Sequence, residues 1–154
     1  MVIKMKAILQ RCKNAAVTID GEAVGSCGHG LMILLGVAKG DDTTDAELLA
    51  EKISKLRIFD DPDGKLNLSV KDIGGGALVV SNFTLLADYR KGNRPDYFGS
   101  EAPARANELY EYFAACLRDR GIHTETGRFG ADMQVTLTND GPVTIDMDSS
   151  VLRK

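Results

Sequence analysis

The sequence has no tryptophan and only two histidines, His29 and His123. That leaves little material for acid–base catalysis or a metal site built on imidazole. His29 stands in "CGHGL", two residues after Cys27; two ligand types do not make a zinc site, and a loop histidine is the plainer reading. His123 follows a helical pattern and could act as a base, though a surface role suits it better. The three cysteines, Cys12, Cys27 and Cys116, are odd in number and far apart, and no CxxC occurs. This argues against a disulfide framework or zinc knuckle, and a reducing cytoplasm fits best. No GxGxxG follows a strand, no GxxxxGK[ST] occurs and no serine sits in a GxSxG elbow. Nucleotide-cofactor loops and a hydrolase triad therefore lack support, and neither metal nor cofactor is expected. No apolar run is long enough to cross a bilayer. The opening "MVIKMKAILQRCKN" has no apolar core and no small-residue cleavage site, so no secretory signal is expected. A net charge of −3 argues against a protein that coats nucleic acid but permits local phosphate contacts.

What is present suits one domain spanning residues 1–154, large enough for a single core. Lys6 to Cys12 and Ala15 to Ile19 read as strands, and Asp20-Gly21 as a hairpin turn returning through Glu22 to Ser26. Leu31 to Val37 reads as a buried strand. Thr44-Asp45-Ala46-Glu47 has the spacing of a capping box. Ala46, Leu49, Ala50, Ile53 and Leu56 follow at helical period. Leu66, Leu68 and Val70 alternate, and Ala77 to Leu86 is a second apolar run. A second helix runs from about Pro103 to Arg120, with a stripe of Ala102, Ala106, Leu109, Phe113 and Cys116/Leu117 and a stop at Gly121. Strands resume near Ile122. The order predicts an α+β fold: a largely antiparallel, barrel-like sheet with two main helices packed on it.

Three stretches carry candidate chemistry. In "VVSNFTLL", Ser81, Asn82 and Thr84 bring polar groups into an apolar strand; this is either a strand surfacing from the core or a pocket lining. "DYRKGNRPDYF" interleaves Arg90, Lys91 and Arg94 with Tyr89, Tyr97 and Phe98. That pattern suits a single-stranded RNA end and equally a solvated loop. "TNDGPVTI" joins two alternating runs, Met133 to Thr138 and Val143 to Asp146, through Asn139-Asp140-Gly141. This is a strong hairpin signal. Pro142 removes a ladder donor just after the turn; base rates favour a trans bond there. The sharper reading is a stiff, carbonyl-rich tip that probes a ligand.

Taken in order, these stretches resemble one family. Ser81-Asn82-Phe83-Thr84-Leu85 is similar to the Ser-Gln-Phe-Thr-Leu signature of the D-aminoacyl-tRNA deacylases. Asn139 to Thr144 resembles their Asn-x-Gly-Pro-Val-Thr signature. "LQRC" with Arg11, "RIFDDPDGKLNLSV", "KGNRPDYF" and "TGRFGADMQV" match further segments, so the resemblance covers almost the whole chain. It implies a homodimer without cofactor that hydrolyses the ester between tRNA and a D-amino acid or mischarged glycine and spares the L-ester. It also implies a cis bond between Gly141 and Pro142 and a tip that enters the partner's pocket as a chiral gate. Arg11 would hold that tip, and Gly141, Pro142, Asn139, Val143 and Met133 would contact the substrate. Ser81, Asn82, Phe83 and Thr84 would form the catalytic segment; Arg90, Lys91 and Arg94, on their residue types alone, are the expected tRNA contacts.

An aminoacyl ester is already reactive, so a positioned water and a stabilised oxyanion can suffice. The backbone N–H groups of Asn82, Phe83 and Thr84 are the expected donors, with the substrate's ribose 2′-OH helping to activate water. Thr84 as a direct nucleophile is the rival, weakened by the lack of an adjacent base. One departure stands out: the family's glutamine is Asn82 here, shorter by one methylene. Two other classes compete with the hydrolase. One is a tRNA-end-binding module without turnover. The other is a hydrolase of a different ester, for which no motif speaks.

Overall fold

The computed structural model describes residues 2–154. Its spine is β1 (Lys6–Ile19), one 14-residue strand where the sequence suggested two. Polar Lys13 and Asn14 do not end it, because a single long partner strand runs beside both halves. They mark a bulge instead: the pairing slips between Cys12 and Asn14. Such a slip exchanges the faces of a strand. Ala7 and Leu9 accordingly enter one core, and Cys12, Ala15 and Val17 the other.

Asp20 and Gly21 turn the chain with φ of 50° and 81°, the left-handed pair that a two-residue hairpin requires. The return strand β2 (Glu22–Cys27) and then β3 (Gly30–Gly36) lie antiparallel to successive halves of β1. After α1 (Thr43–Lys55) come a small hairpin of β4 (Phe59–Asp60) with β5 (Leu66–Leu68), then β6 (Gly76–Ser81), parallel to β3. After α2 (Pro103–Asp119) comes β7 (His123–Thr126), parallel to β6. Parallel neighbours need long crossovers, and each helix lies within one. The sheet order is β2–β1–β3–β6–β7, with β8 (Gln134–Asp148) on the other edge of β1. Its three β1 pairings are antiparallel and its two β6 pairings parallel.

The sheet curls until β7 nearly meets β2. The Ser26 N–H donates to Glu125 Oε1 at 3.0 Å. A Cβ on Gly25 would lie 2.4 Å from the Thr126 carbonyl oxygen, so this approach requires glycine. Met32, Leu78 and Val80 face the small core with Cys12, Ala15 and Val17. The alternate residues Leu31, Ile33, Ala77 and Val79 face the larger one, which both helices cover. From α1 come Ala46, Leu49, Ala50 and Ile53; from α2 come Ala106, Leu109, Phe113, Cys116 and Leu117. Ala102 stands outside this stripe, exposed at the helix N-cap. No helix among the described residues is long and apolar enough to cross a membrane.

Three local expectations change. The capping box is Asp42 with Asp45, not Thr44 with Glu47: Asp42 Oδ1 accepts the Thr44 N–H at 3.0 Å and Asp45 Oδ2 the Asp42 N–H at 2.9 Å. Asp45 is also fully buried and bound by Arg153 and Ser149, which ties the chain's end to α1. The run from Ala77 to Leu86 is a strand only to Ser81 and then a 3-10 turn, Phe83–Leu86. Third, Met133 to Ile145 is no hairpin. Both limbs belong to β8 and pair with β1, and the turn residues form a bulge: Asp140 to Val143 stand opposite Arg11 alone. Both limbs find a ladder on β1, so they do not need each other.

Between β3 and α1, Asp41 is buried, and its Oδ2 accepts the Ala38 N–H at 2.7 Å. Its Oδ1 has no partner among the described residues. Burial pushes this carboxyl up to about 7, with Asp45 and Asp148 adding to the effect against Lys4. A carboxyl raised in the fold binds its proton more tightly there than in the unfolded chain, so stability falls as pH rises toward about 7. Asp41→Asn keeps an acceptor for Ala38 and cannot ionise. Its melting temperature should rise relative to the unsubstituted protein between about pH 4 and pH 8. Parallel melting curves across that window would show that Asp41 is not the group responsible.

Candidate active site

β6 ends where its backbone leaves the sheet. The Asn82 N–H donates to the Leu35 carbonyl at 2.8 Å, the last bond toward β3. The Asn82 side chain then caps the 3-10 turn: its Oδ1 accepts the Thr84 N–H at 3.2 Å and also the Thr84 hydroxyl. Asparagine is short enough to fold back onto the backbone two residues on. Of the three expected oxyanion donors, two are therefore engaged. Phe83 opens the turn, where an N–H has no intrahelical acceptor, so its N–H is the donor left for a ligand. Thr84 does have an adjacent acceptor. It is a neutral amide, which orients a hydroxyl but takes no proton from it.

Beside Ser81 and Phe83 opens a largely apolar cavity of about 580 Å³. Val37, Phe83, Tyr97 and Phe129 form much of its wall, and Lys39 brings a cation. Phe83 and Tyr97 meet edge to face at 5.1 Å between ring centres. Ser100 Oγ donates to the Phe83 carbonyl at 3.1 Å. The Tyr110 hydroxyl shares its one proton between the carbonyls of Val79 at 3.1 Å and Gly127 at 3.3 Å. This fixes the segment that carries Phe129. Lys39, Ser100, Tyr110 and Phe129 were not singled out from the sequence. They come from segments far apart along the chain, and only the fold brings them to Ser81.

The second constellation is the bulge. Arg11 is buried, 5% exposed. Its Nε donates to the Asp140 carbonyl at 2.8 Å, and its Nη1 to the Ile58 carbonyl at 2.9 Å and to Asp60 Oδ1 at 3.3 Å. Asn139 Oδ1 accepts the Val143 N–H at 3.2 Å and closes the bulge from within. Gln10 Oε1 accepts from both Asn139 Nδ2 and the Thr144 hydroxyl. Gly141 has φ of 134°, and a Cβ there would meet Val143 at 2.9 Å and Arg11 Nη2 at 3.1 Å. Glycine is required at that point. The Gly141–Pro142 peptide is cis, where residue frequencies alone favoured trans. Both residues are exposed, so a rigidly braced tip projects from the surface.

The fold does not bring the two constellations together within one chain. Arg11 pairs with Leu31 and Ser81 with Leu35. The bulge therefore sits four residues further along the strands, about 13 Å, and on the far side of β1. Met133 lies against Gly127 and packs on the small core. Arg90 grips Asp88 through two bonds of 2.9 and 2.6 Å, which holds that exposed carboxyl at about 2. It borders a separate hollow of about 540 Å³ with Tyr89 and Phe98. Lys91 and Arg94 are exposed. His123 pairs with Glu125 at 3.0 Å, and His29 approaches Asp140 Oδ2 at 3.9 Å; neither lines the cavity beside Ser81.

Residues 8–148 match the family model described as D-Tyr-tRNA(Tyr) deacylase. A D-aminoacyl-tRNA deacylase of Chloroflexus aurantiacus is 57% identical over 149 residues, covering 97% of this chain and 93% of that protein. One of Thermus aquaticus is 54% identical over 146 residues, covering 95% and 96%. Among solved structures, a c-Myc DNA unwinding element binding protein superposes with a TM-score of 0.86 at 40% identity, over 92% of this chain and 97% of that one. A probable eukaryotic D-amino acid tRNA deacylase shares the fold, with a TM-score of 0.80 at 16% identity over 94% and 98%. The chain belongs to the D-Tyr-tRNA(Tyr) deacylase family.

Proposed function

We propose that this protein hydrolyses the ester of D-aminoacyl-tRNA in the cytoplasm, releasing the D-amino acid and tRNA, and that glycyl-tRNA is a second substrate. The observation that carries the reading is the bulge at Gly141–Pro142, braced by the buried Arg11 guanidinium. Backbone carbonyls held this firmly accept hydrogen bonds from a substrate ammonium. A D-residue then points its side chain away, and an L-residue drives it into the tip. Glycine has no side chain to reject. A gate of backbone tests Cα configuration and leaves the kind of D side chain almost untested.

Two copies complete the site. The tip and the Ser81–Phe83 cavity lie apart in one chain, and the outer edge of β8, which flanks the tip, has no partner strand among the described residues. An open edge of this length favours pairing with another chain. In a homodimer each tip enters the partner's cavity, which Phe83, Tyr97 and Phe129 line to take the terminal adenosine. The Phe83 N–H stabilises the oxyanion, and the substrate 2′-OH orients the attacking water. Lys91 and Arg94 contact acceptor-stem phosphates, and Arg90 joins them where phosphate displaces Asp88.

A deacylation time course with D-tyrosyl-, glycyl- and L-tyrosyl-tRNA tests the reading. The D and glycyl esters should disappear while the L ester persists. A Gly141→Ala/Pro142→Ala double variant should lose about 100-fold on the D ester. Survival of all three esters with folded dimer present would leave a tRNA-end-binding module as the better account. Thr84→Ala should stay within about tenfold of the unsubstituted rate, since its hydroxyl has only an amide beside it; abolished turnover in a folded variant would make Thr84 the nucleophile. Asn82→Gln should likewise change the rate by less than about tenfold while weakening the turn by about 1 kcal/mol through the lost cap. A rate gain of about tenfold or more would mean that the asparagine impairs this enzyme.

A further inference from the structure

Two sulfur atoms stand close together outside the site just described. Cys12 Sγ and Cys27 Sγ are 3.7 Å apart, across the bulged corner where β1 passes from β3 to β2. Neither side chain is otherwise strongly bonded: Cys12 Sγ lies 3.8 Å from the Gly28 carbonyl and Cys27 Sγ 3.9 Å from that of Leu31. Cys12 is wholly buried. Cys27 is half-buried and lines a surface hollow of about 380 Å³ with Gly28, His29, Gly75 and His123. One thiol of a close pair is thus reachable from solvent, and the second waits behind it. The third cysteine, Cys116, is buried on α2 and serves as an internal reference.

We propose that Cys12 and Cys27 form a reversible dithiol–disulfide site, with Cys27 as the entry thiol and Cys12 as the resolving thiol. The co-reactant is a low-molecular-weight disulfide. The Cys27 thiolate attacks one of its sulfurs, forming a mixed disulfide and releasing one small thiolate. Cys12 gives up its proton and attacks Cys27 Sγ, which forms the Cys12–Cys27 bond and releases the second small thiol. Two protein thiols are oxidised and one small disulfide is reduced to two thiols. The sulfurs close from 3.7 Å to a bond of about 2.05 Å, a movement on the scale of side-chain rotation. The Cys12 thiol is held low by its hydrogen bond with Cys27, and the Cys27 thiol is pushed up by Cys12 and by burial. Exchange through Cys27 therefore quickens as pH rises.

The position ties this chemistry to the bulge. Cys12 follows Arg11 and pairs with Asn139, and the Cys27–Gly30 corner carries His29, which faces Asp140. Oxidation pulls on both contacts of Asp140, and this consequence rests on the hydrolase reading above.

The test is thiol mapping of the native, full-length protein after incubation with oxidised glutathione, alkylation and peptide mass spectrometry. The unsubstituted protein should yield a Cys12–Cys27-linked peptide, lose two hydrogens and revert with a dithiol reductant, while Cys116 stays alkylatable after unfolding. Cys12→Ser should stop at a glutathione adduct on Cys27, and Cys27→Ser should leave Cys12 unmodified. No linked peptide from folded protein, or equal adduct on Cys12 in the Cys27→Ser variant, would overturn the proposal. The mapping uses no tRNA, so it judges the disulfide apart from the hydrolase reading. Oxidised protein should in addition deacylate D-tyrosyl-tRNA about tenfold more slowly, with recovery on reduction. An unchanged rate would overturn the link to the bulge.

Discussion

A charged guanidinium sits in the interior, and the most exposed turn of the molecule depends on it. Burying Arg11 would cost several kcal/mol if its donors went unmet. They are met by two backbone carbonyls, those of Asp140 and Ile58, with carboxylates of Asp60 and Asp140 nearby. The same bonds work in both directions. They make the buried charge tolerable, and they fix three separate segments to one point: β1, the β4 hairpin and the bulge of β8. Guanidinium geometry suits this, because a planar fork reaches several oxygens from one site. A side chain with a single donor point would leave part of that arrangement open.

β1 is the element that makes this possible. It is long enough to accept both limbs of β8 on one edge and β3 and β2 on the other. It also carries Gln10, Arg11 and Cys12 in succession, each with a different task at the bulge. Gln10 ties Asn139 to Thr144, Arg11 holds Asp140, and Cys12 pairs with Asn139 while its sulfur faces Cys27. The slip at Lys13 changes which face of the strand is buried just past this point. One strand thus serves two cores and one exposed projection.

The fold class, both helices and the Asp20–Gly21 turn were legible in the sequence because each rests on a local rule: period, cap or left-handed φ. The bulge was not, although its residues were singled out. Asn139-Asp140-Gly141 has the same turn chemistry as Asp20-Gly21. Whether such a turn joins two paired strands or loops out of one depends on who accepts the flanking ladders, and that is a non-local fact about β1. The α1 cap was misplaced by two residues because Asp42 and Asp45 satisfy the same rule as Thr44 and Glu47, with shorter side chains. Asn82 was noticed as a departure, yet its use as a cap required knowing that the strand stops at Ser81. The cavity wall was the least legible part. Tyr97 and Phe129 join Phe83 in the cavity wall from a loop and a glycine-rich segment, with no pattern in either that points to the other.

The separation of tip and cavity follows from these constraints. A bulge braced by Arg11 must stand where β1 carries Arg11, four residues along the sheet from the Leu35–Ser81 pair. A cavity at the end of β6 must stand where that strand leaves the sheet and its last N–H groups turn outward. No local change in either element brings them together, because both positions are set by strand register, and each one-residue step of register exchanges the faces. A single chain therefore holds a braced tip and a pocket, each supported by its own core, without joining them. In the proposed dimer, assembly across the open edge of β8 removes that conflict, because one copy's tip meets the other copy's cavity while both remain anchored in strands. On that proposal the gate takes its rigidity from the fold of one subunit and its position from the contact between two, so discrimination and dimer geometry would be coupled by construction.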